Sequence, residues 1–216
     1  MFSGVIIAQL KLKVLSMIDK NIVKHLSDIS LTLFRKNFFG IYHGSISKKV
    51  DYDSFVINTK EAIFDEISES TLRKLKMMHK DYSWNFASIE AEVHKTIYEK
   101  IPEAKYIACG MPPYTTAYSL IHNEIRFEDY YGKMTYDTIS VHNPEDFNTW
   151  YERNSAEIST ALKQSANNLI VIKGIGVYVC DRDMNNLIKK VAILENSCRL
   201  LTLKSQFKIE QTICHL

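Results

Sequence analysis

Three residues could combine acid–base and thiol chemistry if the fold brings them together: Glu90, His94 and Cys109. Glu90 and His94 are four positions apart, so on a helix they lie one turn apart on the same face. Cys109 ends a short apolar run, Tyr-Ile-Ala, and Gly-Met-Pro-Pro follows it. That order is typical of a strand that turns into a helix, where binding sites are common. The three residues could form an improvised site; alternatively, Glu90 and His94 are a hydrogen-bonded pair or a contact on the helix surface.

The other histidines and the common catalytic motifs give little further evidence of a catalytic site. His43 precedes a Gly turn and could line the same pocket as Cys109, whereas His25 on its helix face indicates packing or exposure. The sequence contains no Gly-x-Gly-x-x-Gly, P-loop or Ser-His-Asp pattern. It therefore gives no sign of a nucleotide-binding loop or of a serine hydrolase.

The composition is that of an ordinary globular domain. The 216 residues are 46% hydrophobic and 24% charged, a length that suits one domain with a sizeable core. Lys and Arg number 27 against 25 Asp and Glu, which leaves a formal net charge of +2. Because the charge is nearly balanced, we expect neither nucleic acid nor a membrane surface as a partner.

The cysteines and the hydropathy indicate a reduced environment. Cys109, Cys180, Cys198 and Cys214 are scattered, with no Cys-x-x-Cys pair, which is typical of free thiols rather than of a disulfide framework. No apolar run approaches the roughly 18 residues that a transmembrane helix needs. We therefore expect a cytoplasmic protein.

No repeat, low-complexity tract or flexible linker divides the chain. We interpret residues 21–204 as one domain, residues 1–20 as an N-terminal extension or amphipathic helix, and residues 205–216 as a polar C-terminal tail. Translation could start at Met1 or at Met17.

Apolar periodicity predicts helices and strands that are intermixed along the chain. Residues 87–100 and 183–204 carry helical stripes, and Ser88 is the expected N-cap of the first of these helices. Residues 70–78 are expected to form a short helix opened by Ser70. Short β-rich runs stand at residues 54–58, 105–109, 134–141, 168–173 and 176–181. Such a mixture favours a layered α/β or α+β fold, and strands without intervening helices argue against a purely parallel sheet.

Five stretches, in the same order and with similar spacing, resemble motifs of the class II aldolase/adducin family over about residues 22–201. They are HGSISKK, SFVINTKEAIFDEIS, ASIEAEVHKTIY, YIACGMPPYTTAYSL and IKGIGVYVCDRDMNNL. The third, fourth and fifth are similar to the family patterns S-S-E-x-x-x-H, H-T-H-P-P-Y and N-H-G-V. Each match is modest alone, and the five together indicate the family.

The resemblance implies an α/β class, with α/β/α layers around a mixed, largely antiparallel sheet, and a homo-oligomer that is commonly a cyclic tetramer. The family includes L-fuculose-phosphate aldolase and ribulose-phosphate 4-epimerase. In these enzymes three histidines hold a divalent metal, usually zinc, which stabilises an enediolate. A glutamate beside the metal acts as general acid and base.

The resemblance places Glu90 at the position of the catalytic glutamate, but Cys109, Met111 and Ile175 at the positions of the metal ligands. Isoleucine has no donor atom, and a thioether is a poor ligand for zinc beside oxygen substrates. We therefore expect no metal cofactor. The alternative is a divalent metal such as zinc, bound through Cys109, His94 or Glu90.

The resemblance also places Ser45, Lys60 and Ser88 at phosphate-binding positions. Ser88 is expected near a helix N-terminus, where anions are favoured. Glu61 and Ile89 stand beside Lys60 and Ser88 where the family has a glycine and a serine. Turn and N-cap roles would explain Ser45 and Ser88 without a ligand, and a small sugar phosphate is the candidate ligand.

Three functions remain open after this comparison of motifs. The first is a family member without zinc-dependent aldolase activity that acts as a binding or assembly subunit, because all three ligand positions are altered. The second is an active sugar-phosphate aldolase or epimerase with an atypical site around Glu90, His94 and Cys109. The third is a different chemistry that reuses the pocket without metal. Since a fold does not determine a function, the first is preferred on the ligand positions alone.

Overall fold

The structure, a computed structural model, describes residues 18–41 and 43–213 of the chain. The expected N-terminal extension, with both candidate start residues, lies outside the described residues apart from residues 18–20. Cys214 lies outside them as well.

Within the described part, the helices are α1 (Lys20–Arg35), α2 (Ala91–Lys100), α3 (Pro113–Ile121), α4 (Tyr130–Thr135), α5 (Phe147–Gln164) and α6 (Met184–Ile213). The strands are β1 (Ser45–Lys49), β2 (Ser54–Asn58), β3 (Leu72–Lys76), β4 (Tyr106–Gly110), β5 (Glu124–Arg126), β6 (Thr138–His142), β7 (Leu169–Ile172) and β8 (Gly176–Asp181). Short 3₁₀ helices lie at Glu69–Thr71 and Tyr82–Phe86. None of the described helices has the length and the apolar run needed to cross a membrane.

The strands form one eight-stranded sheet in the order β3-β2-β1-β4-β8-β7-β6-β5. Only β6 and β7 are parallel, and every other pair of neighbours in the described sheet is antiparallel. This arrangement confirms the expected mixed, largely antiparallel sheet.

Successive residues of a strand point to opposite faces of the sheet. Apolar residues point to both faces of these strands, so helices cover both. On one face, Val179 belongs to a core with Leu26 of α1 and Leu194 of α6. On the other face, its neighbour Cys180 belongs to a second core, which includes Ile97 of α2 and residues of α5. The α/β/α layering that the resemblance implied is therefore confirmed.

The expected helix over residues 70–78 is wrong. The segment continues from a 3₁₀ turn into β3, which pairs with β2 at the edge of the sheet. Leu72 and Leu75 are three residues apart, which fits a helical stripe, but on a strand this odd spacing places them on opposite faces. Each is buried in a different core, so tertiary packing decides the structure here.

Helix α2 begins later than its sequence indicates. Its N-cap is Glu90 rather than Ser88, and Ile89, which precedes the N-cap, is 68% exposed. Backbone pairing explains the shift: the N–H of Ser88 donates to the carbonyl of Asn58, and Ala87 forms an antiparallel bridge with Thr59. These bonds hold residues 87–88 in an extended conformation.

Two further boundaries differ from the sequence interpretation. The strand expected at 134–141 is β6, and its first two residues, Met134 and Thr135, belong to α4 instead. Helix α6 continues past residue 204 to Ile213, so the interpreted start of the C-terminal tail does not coincide with a helix end.

Candidate functional site

A cavity of about 250 Å³ lies above the ends of four neighbouring strands. Its lining residues fall within the segments 43–44, 58–64, 88–90, 109–111 and 175–178. These segments adjoin β1, β2, β4 and β8, which are consecutive in the sheet. The cavity is smaller than the range of about 300–1,000 Å³ that is usual for drug-sized ligands, so it suits a small metabolite.

The register of the sheet fixes the residues beneath this cavity. Ser45 of β1 lies opposite Cys109 of β4, and Cys109 lies opposite Tyr178 of β8. Directly opposed residues point to the same face, so the three side chains form a row. Helix α2 covers that face and contributes Glu90 and His94.

Close backbone contact at Gly176 joins β8 to β4. Gly176 has φ +131°, and a Cβ atom there would lie 2.2 Å from the carbonyl oxygen of Gly110. Such a contact excludes any side chain, and the left-handed backbone favours glycine as well. The neighbouring residue Ile175 is thereby held beside the end of β4.

Glu90 is partly buried at the N-terminal end of α2 and lines the cavity. The Tyr178 hydroxyl donates a 2.8 Å hydrogen bond to its carboxylate oxygen Oε2. Burial raises the pKa of the Glu90 carboxyl, and the hydrogen bond from Tyr178 opposes that shift. A carboxyl with a raised pKa, paired with a phenol in a cavity, is a candidate proton donor and acceptor.

His94 is fully buried. Its ring nitrogens Nε2 and Nδ1 each lie 2.7 Å from a serine hydroxyl, of Ser45 and Ser47 respectively. The Ser47 hydroxyl lies 2.8 Å from the Tyr98 hydroxyl. Burial lowers the pKa of His94 to about 3, so the ring is neutral at physiological pH. Since both nitrogens bond to serines, the proposed contact between the Glu90 and His94 side chains is absent from the described structure, and His94 has a structural role.

Cys109 lies between Ser45 and Tyr178 and is only 7% exposed. Burial raises its pKa well above the ordinary value, the charge of Glu90 adds to the shift, and hydrogen bonds with Tyr178 and Ser45 oppose it. The side chain is therefore a protonated thiol near neutral pH. A thiol in this state is a weak nucleophile and a weak metal ligand.

Cys109, Met111 and Ile175 line one cavity, although Ile175 is far from the other two in sequence. Together they offer one buried thiol, one thioether and one alkyl group. Zinc in proteins requires three or four donors among thiolate, imidazole and carboxylate groups, so this set does not fit a zinc ion. Among residues 18–41 and 43–213, no group of three or more His, Cys, Asp or Glu side chains is placed to hold a metal ion.

The three residues that the resemblance assigns to phosphate binding do not all reach the cavity. Lys60 and Ser88 line it, and the Ser88 hydroxyl accepts a 3.3 Å hydrogen bond from the N–H of Glu90. Ser45 is fully buried and bonds to His94 instead. Of the two neighbouring residues, Ile89 lines the cavity, whereas Glu61 is not among its lining residues.

Sequence reasoning did not single out Tyr178 or Asn58, which also line the cavity. Asn58 accepts a 2.8 Å hydrogen bond from the N–H of Ile46 and donates one of 3.0 Å to the carbonyl of Thr59, so it holds β1 and β2 together. Its signal was a polar residue at the end of a buried strand. The only signal for Tyr178 in the sequence was its place in the β-rich run GVYVCD. His43, for which the sequence suggested a place in the pocket, does line the cavity.

Comparison with known proteins agrees with this architecture. Residues 24–202 match the family described as "Class II Aldolase and Adducin N-terminal domain". A search of curated proteins finds no match to the chain.

Solved structures with the same fold include three that span most of this chain. L-fuculose-1-phosphate aldolase from Thermus thermophilus has a TM-score of 0.77 and 16% identity, covering 88% of this chain and 97% of its own. A sugar-phosphate aldolase from Thermotoga maritima has a TM-score of 0.64 and 16% identity, covering 87% and 96%. The N-terminal class II aldolase domain of a conserved protein from Thermoplasma acidophilum has a TM-score of 0.63 and 11% identity, covering 86% and 95%. At these identities the similarity establishes the fold alone.

Proposed function

Because the chain belongs to the family of class II aldolase and adducin N-terminal domains, we propose that it binds a small phosphorylated ligand without catalysing zinc-dependent aldol cleavage. It would then act as a binding or assembly subunit. The observation that carries this proposal is the meeting of Cys109, Met111 and Ile175 in one cavity.

The chemistry of those three side chains supports the loss of metal-dependent cleavage. A metal ion contributes several kcal/mol to the stabilisation of an enediolate transition state. Glu90 remains able to move a proton, but no cationic group among the three residues can polarise a substrate carbonyl beside it. A ligand can still bind in a cavity that lacks the metal ion, even though aldol cleavage of that ligand is not catalysed there.

Lys60 and Ser88 support a phosphate ligand. The Lys60 ammonium is a point charge suited to phosphate, and the Ser88 hydroxyl lies just before the N-terminus of α2, where anions are favoured. Both line the cavity. Glu90 disfavours a phosphate ligand, because its ionised carboxylate would repel a dianion. The raised pKa of Glu90 reduces that repulsion.

The test is an NMR chemical-shift titration of the ¹⁵N-labelled full chain with inorganic phosphate and with dihydroxyacetone phosphate. We expect shifts confined to the cavity segments, and weaker binding of both compounds in Lys60→Met. Lys36→Met, an exposed lysine outside the cavity, is the matched control. In parallel, ³¹P NMR of L-fuculose 1-phosphate with the protein should show no cleavage, with or without added zinc. Absence of any phosphate binding would refute the proposal.

The Glu90–Tyr178 pair favours a second candidate, an active sugar-phosphate aldolase or epimerase with an atypical site. A carboxyl of raised pKa with a phenol as hydrogen-bond donor could carry acid–base chemistry without the three histidines. Turnover of a sugar phosphate that is lost in Glu90→Gln would establish this candidate over the first.

Assembly and location complete the proposal. We expect a homo-oligomer, with a tetramer as the first candidate, so light scattering should give about four times the 25.0 kDa mass of the chain; a monomer would contradict it. The buried free thiols of Cys109, Cys180 and Cys198 support a reducing, cytoplasmic location.

A further inference from the structure

Lys60 and Ser88, called the polar side of the cavity, and Met111 and Ile175, called its apolar side, lie over different strands. Ala62, Phe64, Ile89, Glu90 and Tyr178 also line the cavity. Lys60 follows β2, and Ser88 is tied to the end of β2 by its hydrogen bond to Asn58. Met111 follows β4, and Ile175 immediately precedes β8. Since β8 is the third strand from β2 and neighbouring strands are about 4.8 Å apart, the axes of these two strands are roughly 14 Å apart. The side chains that line the cavity occupy part of this distance, so the space left for a ligand is shorter.

The apolar side is one continuous surface. Met111 is 40% exposed, and a Cβ atom on Gly176 would lie 3.2 Å from its Cγ, so Met111 packs against the turn that carries Ile175. Both side chains line the cavity. Neither offers a hydrogen-bond donor, and only the thioether offers a weak acceptor.

Tyr178, the polar side chain that β8 contributes to the cavity, is already hydrogen-bonded within the protein. The Tyr178 hydroxyl donates to Glu90. A ligand hydroxyl placed beside Met111 and Ile175 would exchange its bonds to water for, at most, one weak bond to the Met111 thioether, which costs free energy. An alkyl group at the same place would gain free energy by leaving water.

We propose that the natural ligand is a phosphate monoester whose other end is a short apolar group rather than a polyhydroxylated chain. This inference rests on the proposed phosphate-binding function. The phosphate lies at Lys60 and Ser88, and the apolar end lies against Met111 and Ile175. The cavity volume of about 250 Å³ limits the ligand to a few carbon atoms beyond the phosphate.

The test compares n-propyl phosphate with sn-glycerol 3-phosphate, which have the same carbon skeleton and differ by two hydroxyl groups. Both are titrated into the ¹⁵N-labelled full chain at pH 7, and inorganic phosphate is titrated as the reference. We expect n-propyl phosphate to bind about tenfold more tightly than glycerol phosphate, a ratio typical of one or two small groups in an apolar pocket. Its shifts should include the backbone amides of Met111 and Ile175.

Matched variants assign the preference to the apolar side. Ile175→Thr keeps the branch at Cβ but replaces the ethyl group with a hydroxyl, so it should reduce the tenfold ratio to about threefold or less. Met111→Gln should act in the same direction. Val50→Thr, which replaces an alkyl branch with a hydroxyl at an exposed position outside the cavity, should leave the ratio unchanged. Lys60→Met should weaken both esters by a similar factor.

The outcomes separate the two proposals. Equal or tighter binding of glycerol phosphate would overturn the apolar-end proposal and leave phosphate binding intact. A preference for n-propyl phosphate that survives both Ile175→Thr and Met111→Gln would also overturn it, because the contact would lie elsewhere. If none of the three phosphate compounds binds, both proposals fail.

Discussion

Tyr178 and Glu90, 88 positions apart in the chain, are joined by a hydrogen bond of 2.8 Å across the cavity floor. The phenol comes from β8 and the carboxylate from the residue that precedes α2. The bond connects the sheet to the helix layer, and both residues line the cavity. It also places a cavity carboxyl of raised pKa beside a neutral donor.

Replacement of Glu90 by Gln should change how stability depends on pH. Because the folded-state pKa of Glu90 is raised, the stability that its protonated form contributes is fully present below the ordinary value of 4.5 and is lost as pH rises through the folded-state pKa. Each unit of such a shift corresponds to about 1.4 kcal/mol. Glu90→Gln should therefore gain stability relative to the wild type between pH 4 and pH 8, measured as free energy of unfolding in urea. Glu61→Gln, at an exposed position, is the control, and parallel pH curves for wild type and Glu90→Gln would contradict the assignment.

Acid should destabilise the protein through His94. Its folded-state pKa of about 3 is below the ordinary 6.5, so the stability that neutral His94 contributes is present above pH 6.5 and is lost as pH falls toward 3. Between pH 7.5 and pH 5.5 this loss amounts to about 1.4 kcal/mol. His94→Gln should lack that component, whereas His79→Gln, at an exposed position, should retain it. The measurement is urea unfolding followed by tryptophan fluorescence at the two pH values, and equal losses in all three proteins would disprove the role of His94.

Glu195 should stabilise α3, which has no side-chain cap of its own. Its carboxylate accepts hydrogen bonds of 2.9 Å from the backbone N–H groups of Tyr114 and Thr115, and one of 2.7 Å from the Thr115 hydroxyl. Glu195→Ala should cost about 1.5–3 kcal/mol, the range for hydrogen bonds to a charged group. Glu195→Gln should cost less, since its carbonyl oxygen still accepts. Thermal unfolding with Glu152→Ala as the exposed control tests this; a Glu195→Ala protein as stable as that control would show that the cap is dispensable.

Zinc should not bind stoichiometrically to the wild-type chain. The expectation follows from the thiol, thioether and alkyl groups of Cys109, Met111 and Ile175 in the cavity. Elemental mass spectrometry after incubation with zinc and desalting measures the metal content. The combined variant Cys109→His, Met111→His and Ile175→His supplies three imidazoles at the same positions and should retain about one zinc per chain. One zinc per wild-type chain would instead favour the alternative of an active lyase.

The sequence alone determined those features that depend on local pattern. Alternating apolar residues in runs such as GVYVCD predicted two-faced strands, and helical stripes predicted the helices over residues 87–100 and 183–204. The motif order indicated the family. Because similar motifs occupy similar places in a fold, it also indicated that Cys109, Met111 and Ile175 would meet, and all three line the cavity.

Only the tertiary structure decided which side chains contact one another. Glu90 and His94 are one helical turn apart, yet their side chains bond to different strands. His94 is hydrogen-bonded to Ser45 of β1, 49 positions away, and Glu90 to Tyr178 of β8, 88 positions away. Residues 70–78 became a strand because β2 offered an unpaired edge and two cores offered opposite faces. Such contacts depend on strand register and on layer packing, which are properties of distant segments, so no local pattern of residues determines them.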